Sequence, residues 1–475
     1  MSSEKNSSYS ILMTFVIISI IVSSCSVAEG KDETYILVDE ILTTQTNLIP
    51  DKETNIVSTY LQFKNIDNIE YLFINKSGGE SYSKKISKGE LSSTSYLFKY
   101  KVKKSDPDFF RLILKAVYID GNSSKEISLN VDNRRGFFIR NVSQVARVTG
   151  VPISGETFPN PNNTHNWNVG GTDLGIVWRM EPGKYGIFFG DTFGRSFKPN
   201  PTNPGPNGDS WRSNVLAFSE DENLDDGLTI SSMATDARGD AREIIYGGKD
   251  ETGNGNWTSI PTAAIRANGA DYVHYFNLRS WTGWITNYSG MYKSIDNGKN
   301  WDKCENVNFS ANSPFGQVGY FKKDGYIYMI GTKTGRDSKP SLARFHEKDI
   351  EILNQYEYWN GETWIKGDEN QATTIIDDKV GELSFIYNNT HKKWLIAYFN
   401  GDRYNITMRT AEQITGPWSD PYELASGKDY AQLYGSYFHP LSVKGDNLYF
   451  LMSMWMPYNV FLMKAEIADM GVIRD

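Results

Sequence analysis

The chain has 475 residues, enough for about three domains of average size. Its net charge is −8, which excludes a strongly basic nucleic-acid binder. Two cysteines, Cys25 and Cys304, exclude a disulfide framework and a cysteine-based metal site. Aromatic residues reach 13% and glycine 41 residues, a balance expected of an all-β chain, because flat side chains suit pleated surfaces and glycine supplies tight turns.

Residues 1–25 read as a lipoprotein signal peptide. Lys5 lies in a short polar segment, and Ile11 to Val22 is an apolar run too short to span a bilayer. The run ends in Val22-Ser23-Ser24-Cys25, which resembles a bacterial lipobox, so Cys25 is the expected lipid anchor. The competing reading is an ordinary secretory signal. Residues 26–33 form a linker, and its Lys31-Asp32-Glu33 cluster resembles the export signal of surface lipoproteins as well as a solvated linker. The expected location is secreted, anchored to the outer membrane and surface-exposed.

Residues 34–145 show short alternating strands, among them Glu70–Ile74, Tyr96–Val102 and Leu112–Tyr118. An Asp120-Gly121 turn leads to Glu126–Val131. This pattern predicts an immunoglobulin-like β-sandwich. Residues 31–145 carry +2 and residues 1–30 carry −1, which leaves −9 on 146–475. The contrast supports a domain boundary near 145.

From 146 onward one unit recurs, a hairpin followed by a third strand. The hairpins are expected at Ile176–Phe189, Ala263–Phe276, Gly319–Gly331, Ser384–Phe399 and Leu441–Met454. Five such units predict a five-bladed β-propeller over 146–475. Ser294-Ile295-Asp296-Asn297-Gly298-Lys299-Asn300-Trp301 matches the Asp-box pattern, in which the Asp and Ser bind a hairpin turn and the Trp packs between sheets. Asp296 is therefore read as structural. Thr415-Gly416-Pro417-Trp418-Ser419 is similarly expected to be an outer-strand turn.

The first unit is unusual. Two long Pro/Asn/Gly loops, 158–168 and 198–209, flank its hairpin, and loops of this length are functional or disordered. Asp173 and Asp191 stand at the two ends of that hairpin, so they should be neighbours in space. Two carboxylates facing a polar cleft suit glycoside hydrolysis, one as acid and one as base or nucleophile. The competing reading for each is turn stabilisation. Asp173, beside the central axis, is the weaker choice for base.

Further candidates precede strands of the other units: Thr262, Gln317, Glu382, Tyr434 and His439. Trp211, Arg212 and Asn214 enter the third strand of the first unit. Arg212 could hold a carboxylate charged or bond a sugar hydroxyl. Trp167 and Trp211 could stack on sugar rings. Glu382 reads equally as a solvated turn acid, and His439 as a buried core histidine. The five histidines show no metal-ligand spacing, so neither a metal nor a cofactor is expected.

Together these motifs resemble the bacterial endo-D-arabinanases of glycoside hydrolase family 183, formerly a domain of unknown function numbered 4185. They are Gly171-Thr172-Asp173-Leu174-Gly175, Phe189-Gly190-Asp191-Thr192-Phe193, Trp211-Arg212-Ser213-Asn214, Ile260-Pro261-Thr262, Gly381-Glu382-Leu383-Ser384 and Tyr434-Gly435 with His439-Pro440. The resemblance spans about 146–470. It implies hydrolysis of internal α-D-arabinofuranosyl bonds of mycobacterial arabinogalactan and lipoarabinomannan, with inversion. Asp173 and Asp191 match the family's proposed acid pair. Inversion implies carboxylates roughly 6.5–9.5 Å apart. An arabinan polysaccharide is thus the expected partner besides the lipid anchor, with no nucleic acid and no obligate protein partner. The alternatives are another furanosidase, such as an L-arabinanase, a sialidase, and a non-catalytic glycan-binding lipoprotein. Only one clear Asp-box and no recognisable arginine triad weigh against a sialidase.

Overall fold

A computed structural model describes residues 33–37, 53–59, 66–75, 80–91, 95–101, 109–123, 126–132 and 136–470. Cys25 and most of the linker lie outside them. The described residues are all-β, with short 3₁₀ turns and no α-helix. None of their helical turns is long and apolar enough to cross a membrane. The chain divides into two compact units, one of residues 1–136 with 470–475 and one of residues 137–469. The division falls earlier than the expected boundary at 145, because the strand Gly136–Arg147 joins a sheet of the second unit.

The first unit holds seven strands: β1 (Glu33–Leu37), β2 (Glu53–Thr59), β3 (Ile66–Asn75), β4 (Glu80–Ser87), β5 (Ser95–Lys101), β6 (Phe109–Tyr118) and β7 (Ile127–Asp132). They form one sheet in the order β1-β2-β5 and another in the order β4-β3-β6-β7. In the second sheet Ile69, Tyr71 and Phe73 alternate along β3, and Leu112, Leu114 and Ala116 along β6. All six are buried, the period-2 signature of a strand with one apolar face.

The second unit is a ring of five antiparallel sheets. Sheet 1 runs from β9 (Gly171–Glu181) through β10 (Lys184–Phe193) and β11 (Val215–Ser219) to β12 (Ser232–Met233). Sheet 2 holds β13 (Thr258–Ala267), β14 (Ala270–Ser280), β15 (Ile285–Ser294) and β16 (Asp302–Ser310). Sheet 3 holds β17 (Gln317–Lys323), β18 (Tyr326–Thr332), β19 (Ser341–His346), β20 (Glu357–Trp359) and β21 (Trp364–Lys366). Sheet 4 holds β22 (Leu383–Asn388), β23 (Lys393–Asn400), β24 (Asn405–Ala411) and β25 (Tyr422–Ser426). Sheet 5 holds β26 (Leu433–Phe438), β27 (Asn447–Met454), β28 (Asn459–Met470) and, outermost, β8 (Gly136–Arg147). Its hairpin starts at Leu433 and not at Leu441, since Pro440–Val443 is a 3₁₀ turn capped by His439.

The first strands of successive sheets lie side by side, β9 with β13, β13 with β17, β17 with β22, β22 with β26, and β26 with β9 again. Faces of neighbouring sheets pack on each other, so β10, β14, β23 and β27 are buried almost throughout. That packing explains why these strands read as continuous apolar runs and not as alternating ones. The Ser294–Trp301 turn follows its pattern. Asp296 Oδ1 accepts from the Asn300 amide at 2.8 Å, Ser294 Oγ accepts from the Gly298 amide at 2.9 Å, and Gly298 takes φ +83°. The Trp301 ring packs on Phe188 of sheet 1 at 5.3 Å.

The ring closes between its first and last strands. Arg147 at the end of β8 is fully buried, ion-paired with Glu156 and bonded to Asn459 Oδ1 at 2.7 Å, with its guanidinium 4.8 Å from the Phe461 ring. Arg147→Ala would leave that carboxylate without its partner and is expected to cost about 3 kcal/mol of stability. A fall in the urea midpoint at unchanged slope is the check.

Candidate active site

Each inner strand gives its first residues to one cavity and its later residues to another. The larger cavity, about 410 Å³, is lined by later residues such as Ile176, Ile265, Phe321 and Ile386. The other, about 330 Å³, collects the strand starts and the turns beside them: Asp173, Asp191, Thr262, Gln317, Arg336, Glu382 and Tyr434, with a wall of aromatic residues. Three carboxyl side chains, Asp173, Asp191 and Glu382, meet in this second cavity, which makes it the site.

Asp173 and Asp191 reach it because the β9–β10 hairpin is irregular there. Pairing jumps from Phe189–Leu174 to Thr192–Thr172, so Asp173, Gly190 and Asp191 fall in a bulge. Leu174 takes φ +67° and Gly175 φ +102°. A positive φ at leucine is strained, and bulges of this kind turn side chains out of the regular pleat at functional sites. Gly190 is required by contact as well: a Cβ there would collide with Asp173 Oδ1.

The two carboxyls differ in surroundings. Tyr434 donates its hydroxyl to Asp173 Oδ2 at 2.8 Å, while buried Oδ1 has no partner. Burial first, and then the negative charge of Asp191, push Asp173 up to about 8. Asp191 is 6% exposed, and its Oδ1 accepts from Trp211 Nε1 and from Thr258 Oγ1, each at 2.8 Å. Burial raises Asp191 too, but those two donors and the nearby Lys249 cation restrain it to about 6. At pH 7 Asp173 is thus mostly protonated and Asp191 mostly ionised.

A third carboxylate, Glu382, is 7% exposed and is held by Arg336, with Nη2 donating to Oε1 at 2.7 Å. Arg336 in turn lies 4.8 Å from the Phe399 ring, 5.2 Å from Tyr434 and 5.7 Å from Trp284. Thr262 and Gln317 line the cavity. Thr262 Oγ1 accepts from the Val318 amide at 3.3 Å.

Five sequence candidates have other tasks. Trp167 packs on the apolar core and is not in the cavity wall. Arg212 neither holds a carboxylate nor faces the cavity. Its guanidinium bonds the carbonyls of Ser210, Ala241 and Asn168 and fastens the long loops. Asn214 is saturated by the backbone of Ile244, Ile245 and Ser259. His439 caps the 3₁₀ turn through Nδ1, lies 4.7 Å from the Tyr185 ring, and is pushed down to about 3 by burial. Trp211 is no sugar platform: its indole N–H is spent on Asp191, and Lys249 Nζ sits 3.9 Å from its ring.

Sequence reasoning missed Arg336, Thr258, Trp281, Trp284, Trp455 and Tyr458, which lie in turns or strands with no motif of their own. Among the described residues no three His, Cys, Asp or Glu side chains converge as metal ligands. Trp211→Phe removes a donor to the ionised form of Asp191. Its carboxyl is expected to titrate at higher pH than in the unaltered protein, as carbon-13 NMR of labelled aspartate would read.

The notoamide biosynthesis cluster protein J of Aspergillus sp. (strain MF297-2) is 29% identical over 313 residues, 61% of this chain and 80% of that protein. Protein J′ of Aspergillus versicolor is 29% identical over 309 residues, 61% of this chain and 82% of that protein. The Bacillus subtilis arabinanase Arb43A superposes with a TM-score of 0.37 at 12% identity, over 62% of this chain and 96% of that one. That score is too low to carry fold or activity across. Residues 159–464 match the family described as "Domain of unknown function (DUF4185)", and the chain belongs to that family.

Proposed function

We propose that the protein is a glycoside hydrolase of the endo-D-arabinanase type, and that its second unit is a five-bladed β-propeller carrying the reaction. The first unit, with three strands in one sheet and four in the other, is read as an immunoglobulin-like sandwich. The observation that carries the functional reading is the pair of buried carboxyls in one cavity whose surroundings push their proton affinities apart. Such a pair supplies an acid and a base at one pH. Asp173, kept neutral, donates its proton to the leaving glycosidic oxygen. Asp191, kept ionised by Trp211, Thr258 and Lys249, takes a proton from the attacking water. Burial beside a second carboxylate disfavours charge on Asp173, which is why it is the acid of the pair. The motif resemblance supports α-D-arabinofuranosyl bonds as the substrate and inversion as the outcome.

Purified arabinogalactan is the test substrate. Asp173→Asn and Asp191→Asn are each expected to lower kcat by about 10²-fold or more. Unchanged oligosaccharide release by either variant would remove that residue from the mechanism. The pH profile of kcat/KM should be bell-shaped. Activity rises as Asp191 loses its proton near pH 6 and falls as Asp173 loses its proton near pH 8. A profile still rising above pH 9 would rule out Asp173 as the acid.

The proposal extends to location, a surface lipoprotein anchored through Cys25. Incorporation of labelled fatty acid should vanish in Cys25→Ala.

A further inference from the structure

Three tryptophans in the cavity wall have no part in the acid–base chemistry: Trp281, Trp284 and Trp455. Trp281 and Trp284 belong to the turn between β14 and β15 in sheet 2, and Trp455 to the turn between β27 and β28 in sheet 5. Ring order places sheets 2 and 5 on either side of sheet 1, which carries Asp173 and Asp191. The indoles therefore flank the carboxylates from two directions.

Both sides are built at a cost. Trp455 is 40% exposed, and its indole lies over Gly205, where any Cβ would be driven into the ring. Its aromatic neighbours Tyr434 and Tyr458 meet it in edge arrangements, at 6.2 and 5.7 Å, so among the described residues no ring is stacked parallel on it. Trp284 takes φ +49°, a conformation unfavourable for a bulky residue, and is braced by Trp281 edge-on at 5.2 Å and by Arg336. Strain and an exposed indole in a cavity wall mark a binding surface. The neutral C–H face of a sugar ring is the ligand chemistry that such a surface takes without needing a charge.

Resting on the hydrolase reading, we infer that Trp281 with Trp284 and Trp455 are two sugar-stacking platforms, one on each side of the carboxylate pair. The substrate is then an oligosaccharide gripped beyond the scissile bond in both directions, and cutting is internal.

The test uses the full chain carrying Asp191→Asn, which holds substrate without turnover, and arabinan oligosaccharides of increasing length. Trp281→Ala and Trp455→Ala should each weaken binding of the longest oligosaccharides about tenfold and spare the shortest. Trp455→Phe keeps a ring over Gly205 and should recover part of the loss, which guards against a folding defect. Equal affinity at every length in both alanine variants overturns the platforms, while arabinan hydrolysis by the unaltered protein leaves the enzyme reading standing. Failure of every oligosaccharide to bind, with no hydrolysis by the unaltered protein, overturns both.

Discussion

The seam between the first and fifth sheets is the contact on which the site depends. Across it the Leu174 amide donates to Ser453 Oγ at 2.8 Å, the Thr172 amide to the Tyr458 carbonyl at 2.8 Å, and Asn459 Nδ2 to the Gly170 carbonyl at 3.1 Å. The Tyr434 hydroxyl meets Asp173 in the same seam. These bonds pull the bulged start of β9 under the fifth sheet and bury the Asp173 carboxyl. Pairing of β8 with β28 completes the fifth sheet with a strand from the other end of the second unit.

Burial on this scale is costly for carboxylates, and the site meets the cost in three ways. Asp173 gives up its charge. Asp191 keeps its charge with two donors on one oxygen and Lys249 nearby. Glu382 is paired with the Arg336 fork, itself braced by aromatic rings. The backbone strain at Leu174 persists because the seam bonds over-determine that residue.

Polar side chains around the site divide by how completely they are satisfied. Arg212 and Asn214 direct their donors to backbone carbonyls, so they hold loops and have nothing to offer a ligand. Asp173 Oδ1 stays unpaired, and among the described residues both donors to Asp191 go to Oδ1, which leaves Asp173 Oδ1 and Asp191 Oδ2 for chemistry. Satisfaction of this kind is a property of folded neighbours, which is why Arg212 and Asn214 looked like site residues when read as sequence.

The sequence by itself determined four of the five hairpins, the outer turn at Ser294–Trp301 and the pairing of Asp173 with Asp191. Each rests on local rules: apolar runs, turn residues at fixed offsets, and the proximity of the two ends of a hairpin. It placed Glu382 and Tyr434 beside strand starts that line one cavity. Tertiary structure alone decided that Gly136–Arg147 belongs to the second unit, that Trp211 holds a carboxylate, and that Arg336, Trp281, Trp284 and Trp455 face the site. Those contacts join residues far apart in the chain, and only ring closure brings them together. The division of roles between the two aspartates is likewise tertiary, because burial and neighbouring charge set it and no local pattern encodes either.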